Sequence, residues 1–334
     1  MGRLLLSVPI ALSQLAISFI SPAQTINPPS RTFALTYQVH VPAEKDADGR
    51  FLMWLPLPQQ DEYQKIRDVQ INSNVAYSLG RDSEYKNSYV VFEPTRAQRD
   101  PGFDVATSFV ATRLEHKVSL DTEIAKIISL KSSARPVLQR YLEPDDLIPL
   151  DGMIADLAGQ NTAGDTTTLA AARHIYDYVV ATMRYDKSGD GWGRGDAVWA
   201  CTSRRGNCTD FHSVLIGMLR ASGIPARFGI GFPLPEDKSE GDISGYHCWA
   251  EFYLNGTGWI PVDASEAWKN PAKRDYFFGA VDANRILFTY GRDLHLSIEQ
   301  KGDPLNYFIY PYAELNGKPF LGVQSHFSFR DNSY

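Results

Sequence analysis

Cysteine is scarce in this chain. Only Cys201, Cys208 and Cys248 occur in 334 residues. A disulfide scaffold of this length would use more, and an odd count leaves a free thiol, or one bond plus a reactive thiol. Basic excess is lacking as well. The 33 Lys and Arg stand against 39 Asp and Glu, a formal charge of −6, so no basic excess exists to replace phosphate counterions. That argues against nucleic acid as a partner. No block of like charge occurs, which argues against a charged tail or surface-anchoring patch. Beyond the first two dozen residues no run is long and apolar enough to span a bilayer. There is no internal repeat and no low-complexity tract. What is present is ordinary globular composition, 43% hydrophobic and 22% charged, at a length that suggests two domains.

The first residues read as a targeting segment. Arg3 precedes an apolar stretch from Leu4 to Ile20 that Pro9, Ser13 and Gln14 interrupt, a poor spanning helix. Ser21-Pro22-Ala23 places small residues where a signal peptidase reads them, so residues 1–23 are expected to be a signal peptide cleaved after Ala23. No cysteine follows to carry a lipid. Loss of Arg3 leaves a charge of −7, and the expected destination is the periplasm or the medium, with no stable membrane insertion.

From Arg31 to about Leu120 the pattern is β. Phe33, Leu35, Tyr37, Val39 and Val41 alternate, Phe51–Leu55 stops at Pro56, Tyr89–Phe92 is a third run, and Val105–Leu120 a fourth. A β-sandwich-like domain over 24–128 is expected. Pro136, Pro144 and Pro149 then break up a linking segment. Next comes a helix capped by Asp165 or Thr166, with Leu169, Ala172, Ile175, Tyr176 and Val179 at helical spacing. A glycine-rich loop, Gly189 to Asp196, follows. Residues 129–274 form the expected catalytic unit and 275–334 a C-terminal β extension, with runs near 285–290, 294–298, 307–310 and 323–329.

Asn207 is suited to cap a helix in which Cys208 occupies the first turn. Phe211, Val214, Leu215, Met218 and Leu219 form its buried stripe, and Gly223 and Pro225 end it. A free thiol ionises near pH 8.5. The positive end of a helix, and an imidazolium beside it, favour the thiolate. The Cys208 N–H is an unpaired first-turn donor, fit to stabilise an oxyanion. The structural alternative is a packed cysteine, but Cys208 lies outside the apolar stripe.

Residues 246–254 read as a strand, 255–258 as a turn and 259–263 as the returning strand. A two-residue loop turns Asp263 away from His247. A three-residue loop pairs Leu254 with Gly258 and puts Asp263 one diagonal step from His247 on the same face. Pro261 needs an edge position or a bulge. With both on one face, Asp263 fixes the imidazole of His247 and the other ring nitrogen meets the thiol. His212, one turn after Cys208, reads as a partly buried helix residue.

The blocks Arg205-Gly206-Asn207-Cys208-Thr209-Asp210, Tyr246-His247-Cys248-Trp249-Ala250-Glu251 and Gly258-Trp259-Ile260-Pro261-Val262-Asp263 resemble, in order and spacing, bacterial members of the transglutaminase-like superfamily. The resemblance implies an α+β papain-like core, a nucleophile helix on an antiparallel sheet, with Cys208, His247 and Asp263 as catalytic residues. It implies a thiol enzyme acting on peptide or side-chain amides of a protein or peptide substrate. Hydrolysis is favoured over cross-linking transfer to an amine, and a non-catalytic wall- or protein-binding module is the contrasting reading. No cofactor or metal is expected: Asp186, Asp190 and Asp196 lie among glycines, but Ala197 stands where a calcium loop of that type needs a bidentate Glu. Trp199 is either a second oxyanion donor or packing beneath the loop. Whether Cys201 and Cys248 pair in a disulfide near the site is left open by the sequence.

Overall fold

The computed structural model describes residues 28–43, 48–120 and 138–332. The expected signal peptide lies outside them. The fold is α+β, as expected, and its strands are antiparallel except for one short pair. In chain order the N-terminal part holds β1 (Ser30–Val41), β2 (Phe51–Pro56), β3 (Gln64–Ser73), β4 (Tyr77–Arg81), β5 (Ser88–Phe92), α1 (Arg96–Arg99), β6 (Phe103–Leu114) and β7 (His116–Lys117). The middle part holds α2 (Gly152–Asn161), α3 (Thr168–Thr182), β8 (Arg184–Tyr185), α4 (Ala197–Ser203), β9 (Arg205–Gly206) and α5 (Cys208–Ala221). Then follow β10 (Ala226–Pro233), β11 (Glu240–Asp242), β12 (His247–Leu254), β13 (Gly258–Val262), α6 (Ala264–Lys269), β14 (Ala280–Val281) and β15 (Arg285–Tyr290). The last strands are β16 (Tyr312–Leu315), β17 (Lys318–Pro319) and β18 (Gln324–Asp331).

Two five-stranded sheets, ordered β11-β18-β1-β6-β3 and β17-β16-β2-β5-β4, are each built from both ends of the chain. Phe33 lies opposite Asp331, and Phe51 opposite Leu315. The β segments 24–128 and 275–334 therefore share their sheets. Alternation on β1 buries Phe33, Leu35, Tyr37, Val39 and Val41 against Phe51, Met53, Leu55 and Phe92 of the second sheet. β2 is buried on both faces. Its other side, with Leu52 and Trp54, meets Leu294, Leu296 and Phe308. These last residues are irregular chain rather than the strands expected at 294–298 and 307–310, because side-chain packing, not a ladder, holds them. Only Leu294 makes a bridge, to Leu305. β3 is an edge strand bulged between Arg67 and Gln70 and largely exposed, which discourages further pairing.

The third sheet, β13-β12-β10-β15, carries α5 on β12, and α2, α3, α4 and α6 pack around α5. α3 starts from Thr167, whose hydroxyl accepts from Ala170 N, one residue beyond the expected caps. α2 falls within the segment read as a proline-broken linker; Pro149 precedes it and leaves ten residues free to wind. Phe288 on β15 meets Tyr37, Phe109 and Phe232, so the sandwich and the third sheet share one apolar core.

Candidate active site

α5 begins just after a tight turn of the backbone. Arg204, in the left-handed region at φ 53°, ends α4, and Gly206 follows at φ 150°. A Cβ on Gly206 would lie 2.2 Å from the Asp210 carboxylate, so only glycine lets that carboxylate fold back. Asn207 caps as expected: its side chain accepts from Thr209 N at 2.9 Å, and a reciprocal capping box with Asp210 is complete. Asp210 accepts not only from Asn207 N (2.9 Å) but from Gly193 N (2.7 Å) and Gly195 N (3.0 Å). One buried carboxylate thus ties the glycine-rich loop to the cysteine helix. With the cap occupied by other amides, the Cys208 N–H is left as a first-turn donor.

The β12–β13 hairpin settles the register question by its loop. Leu254 pairs with Gly258 and Ala250 with Val262, leaving residues 255–257 as the loop. Pro261 sits opposite Glu251 on the edge strand of its sheet, where its missing N–H costs no ladder bond. Continued by one step, this register sets Asp263 at the level of Trp249, diagonal to His247. His247 Nε2 and Asp263 Oδ2 are 2.7 Å apart.

Asp263 is completely buried and fully engaged. Oδ2 takes the His247 bond and one from Arg285 Nη1 at 2.8 Å. Oδ1 accepts from Ser265 Oγ at 3.0 Å and from Glu266 N at 2.9 Å, the latter capping α6. Burial alone would raise its pKa; the charges of His247 and Arg285, with the His247 hydrogen bond, hold it well below the usual carboxylate range. Burial likewise disfavours the imidazolium of His247. Asp263 and the sulfur of Cys208 outweigh that and lift its pKa to about 9. The thiol of Cys208, 2% exposed, would be raised by burial, yet hydrogen bonds from Cys248 and His247 and the His247 charge carry it well below 9. Since Nε2 of His247 is committed to Asp263, the thiol bond falls to Nδ1. These opposite shifts, the thiol down and the imidazole up, favour a buried thiolate–imidazolium pair.

Several groups were not visible as parts of this site in the sequence. Arg285 on β15 is 22 residues beyond Asp263, and no motif announces it. His212, expected to be partly exposed, is completely buried, with Nε2 accepting from Ala264 N at 3.2 Å and lying 3.5 Å from Asp263 Oδ1. Its one-turn spacing from Cys208 was the available signal. Tyr246 OH accepts from Asn207 Nδ2 at 3.0 Å and lies 2.9 Å from Thr209 Oγ1, joining the histidine strand to the helix cap. Its ring meets Tyr307 and Tyr310 from the C-terminal segment. The Trp199 indole packs against Gly191 of the loop, the second of its two expected roles. The Cys201–Cys248 disulfide is not formed. All three cysteines are free, and Cys248 is buried beside Cys208, Thr209 and His212. Asp196 is used as the cap of α4, and Asp186 receives Ser188 N. Among the described residues no group of three or more His, Cys, Asp or Glu side chains converges to hold a metal.

Against this geometry, the comparisons with known proteins agree. A family model described as transglutaminase-like superfamily matches residues 155–264, the stretch containing all three residues. The chain is 29% identical over 337 residues to an uncharacterized protein of Haemophilus influenzae, covering 86% of each. Over 80 residues it is 31% identical to the uncharacterized protein YebA of Bacillus subtilis, 21% of this chain and 11% of that one. A crystal structure from Cytophaga hutchinsonii, described as a putative cysteine protease, superposes with a TM-score of 0.63 at 16% identity, covering 92% of both chains. At that identity the likeness establishes the fold alone.

Proposed function

Because residues 155–264 match the family model of the transglutaminase-like superfamily, we propose that the chain is a cysteine enzyme that opens peptide or side-chain amides, Cys208, His247 and Asp263 being its catalytic residues. The observation that carries this reading is the 2.7 Å bond from His247 Nε2 to a fully engaged Asp263, which leaves the opposite ring nitrogen to the thiol of Cys208. The Cys208 sulfur attacks the amide carbonyl, and the first-turn N–H of the same residue faces the developing oxyanion. The His247 proton passes to the departing amine, leaving a thioester on Cys208. Water, deprotonated by the now neutral His247, attacks the thioester and releases the acid. Hydrolysis is favoured over transfer to an amine because the N-terminal segment directs the chain out of the cytoplasm, where water is the abundant acceptor. On this reading the mature protein is exported and works on proteins or peptides; among the described residues no helix is long and apolar enough to cross a membrane.

A peptide library incubated with the protein and a primary amine, read by mass spectrometry, separates the chemistries. Backbone cleavage or deamidation without amine incorporation supports hydrolysis, whereas amine-bearing products identify a transglutaminase. Rapid labelling of Cys208 at pH 6 by a thiol-directed amide mimic distinguishes either enzyme from a binding module, whose thiol stays inert.

A further inference from the structure

β8 and the glycine-rich loop bring two ammonium groups to one side of the Cys208 site. Tyr185 on β8 is the register partner of Gly206 on β9, two residues before Cys208, and its ring lies 6.1 Å from that of Phe211 in the next turn of α5. Lys269 Nζ, at the end of α6, stands 4.0 Å from the centre of the Tyr185 ring. Lys187 Nζ stands 5.7 Å from the same ring and 5.8 Å from that of Trp192 in the loop. The contacts continue to the histidine: Lys269 Nζ is 2.7 Å from Glu266 Oε1, which is 3.9 Å from His247 Nε2. Two half-buried aromatic rings flanked by exposed cations thus link His247 to the loop beside the first turn of the nucleophile helix.

Little negative charge opposes these cations. Between Arg184 and Arg205 five basic side chains stand against three acidic ones, in a chain that is −6 overall. Of the three acids, Asp186 accepts from Ser188 N and Asp196 from Trp199 N, which leaves Asp190. Glu266 neutralises Lys269 only, and among the described residues Lys187 has no ion pair. Burial, then the Cys208 charge, raises the phenol of Tyr185, so the ring stays neutral and the charge here is that of the lysines. The tyrosine cluster of Tyr246, Tyr307 and Tyr310 adds no carboxylate.

We propose that Lys187 and Lys269 form a carboxylate subsite that selects acidic peptides as substrates. An Asp, Glu or terminal carboxylate within about two residues of the amide to be opened docks between the two ammonium groups, with its chain over Tyr185 and Trp192. A carboxylate gains charge-assisted hydrogen bonds there, and the lysine stems already lie against aromatic rings, so less freedom is lost on binding. The proposal rests on the amide-opening reading for its reaction, whereas the placement of the cations does not depend on it.

The test compares two fluorescent peptides of one sequence, with Glu or Gln beside an amide that the full chain opens. Wild type is expected to favour the Glu peptide about five- to tenfold in kcat/KM, through KM rather than kcat. That advantage shrinks as salt rises from about 20 to about 500 mM, because both lysines are exposed. Lys187→Gln and Lys269→Gln each lower the ratio, the latter also freeing the Glu266 carboxylate to repel the substrate, and the double variant brings it below about twofold. Lys187→Arg and Lys269→Arg, which keep the charge, retain the preference. A wild-type ratio below about twofold, or one that survives the double variant, overturns the proposal. If neither peptide turns over and Cys208 stays unlabelled by the amide mimic, the enzyme reading fails by itself. The subsite is then read from the fluorescence anisotropy of the same two peptides on Cys208→Ala. Tighter binding of the Glu peptide, lost when both lysines become Gln, upholds it; equal affinities overturn it.

Discussion

Replacing Asp263 by Asn keeps the size of the side chain and removes its charge, and the surroundings do not accommodate the change. Four donors converge on the carboxylate, two at each oxygen: His247 Nε2 and Arg285 Nη1 at Oδ2, Ser265 Oγ and Glu266 N at Oδ1. An amide has one accepting oxygen. If that oxygen keeps Ser265 and Glu266 N, the NH2 group faces His247 and drives the ring into the tautomer with its proton on Nδ1. If the oxygen turns to His247, α6 loses its cap, at a cost of about 1 kcal/mol. In the first arrangement the imidazole has no basic nitrogen toward Cys208, and the same tautomer error in a serine triad costs about 10⁴ in rate. General acid–base loss alone is about 10²-fold or more. We therefore expect kcat/KM on an amide substrate to fall about 10²–10⁴-fold, some 3–5 kcal/mol of barrier.

The pH profile should change with it. In wild type, activity falls on the alkaline side as the pair loses the proton that Asp263 helps His247 retain to about pH 9. On the acid side it falls as Cys208 takes up a proton, well below pH 9. Without the Asp263 charge the alkaline limb should move down by about 1–3 units. Steady-state rates across pH 5–10, with Cys208 alkylation as a substrate-free control, check both effects. A variant within about threefold of wild type at pH 7, its alkaline limb unmoved, would refute the reasoning.

Arg285→Met should lower stability by about 3–5 kcal/mol, because it leaves Asp263 and Asp282 without their buried cation; urea unfolding measures this, and a loss under about 1 kcal/mol contradicts it. Gly195→Ala puts a Cβ 2.5 Å from Ser213 Oγ at φ 65°, so we expect a loss of about 1–3 kcal/mol and faster hydrogen exchange at the Gly193 and Gly195 amides. Unchanged protection would show that Asp210 does not pin this loop. Burial lowers the pKa of His116 to about 4. Between its unfolded value near 6.5 and pH 4 the unfolded chain binds the proton and the folded chain does not, so stability falls with pH across that window, by up to about 3 kcal/mol. His116→Gln should flatten that part of the curve, and denaturation midpoints at pH 7 and pH 4.5 test it.

What the sequence made legible was local. The cap at Asn207, the stripe on α5 and the alternation of β1 depend on neighbours a few residues away, and each forms within a residue or two of its expected place. The hairpin left two registers open because a two-residue loop, Asn255-Gly256, and a three-residue loop, 255–257, both suit a turn. Only the ladder, with Leu254 on Gly258, selects the one that brings Asp263 to His247. Partners across the chain were not legible. Nothing in Gln324–Asp331 announces that it pairs with Ser30–Val41, and Arg285 looks like the polar end of an ordinary strand until the sheet carries it to Asp263. His212 was underestimated for a related reason, since its helix face is covered by α6, an element the sequence reading did not contain.

The claim on which the rest depends is that Cys208 forms a thioester with its substrate. Acid quench of the protein during turnover of an amide substrate, followed by peptide mass spectrometry, tests it most directly. The expected result is an acyl adduct confined to the Cys208 peptide, absent from Cys208→Ala, which also loses all turnover. Turnover that persists in Cys208→Ala, or an adduct carried by Cys201 or Cys248 instead, would contradict it.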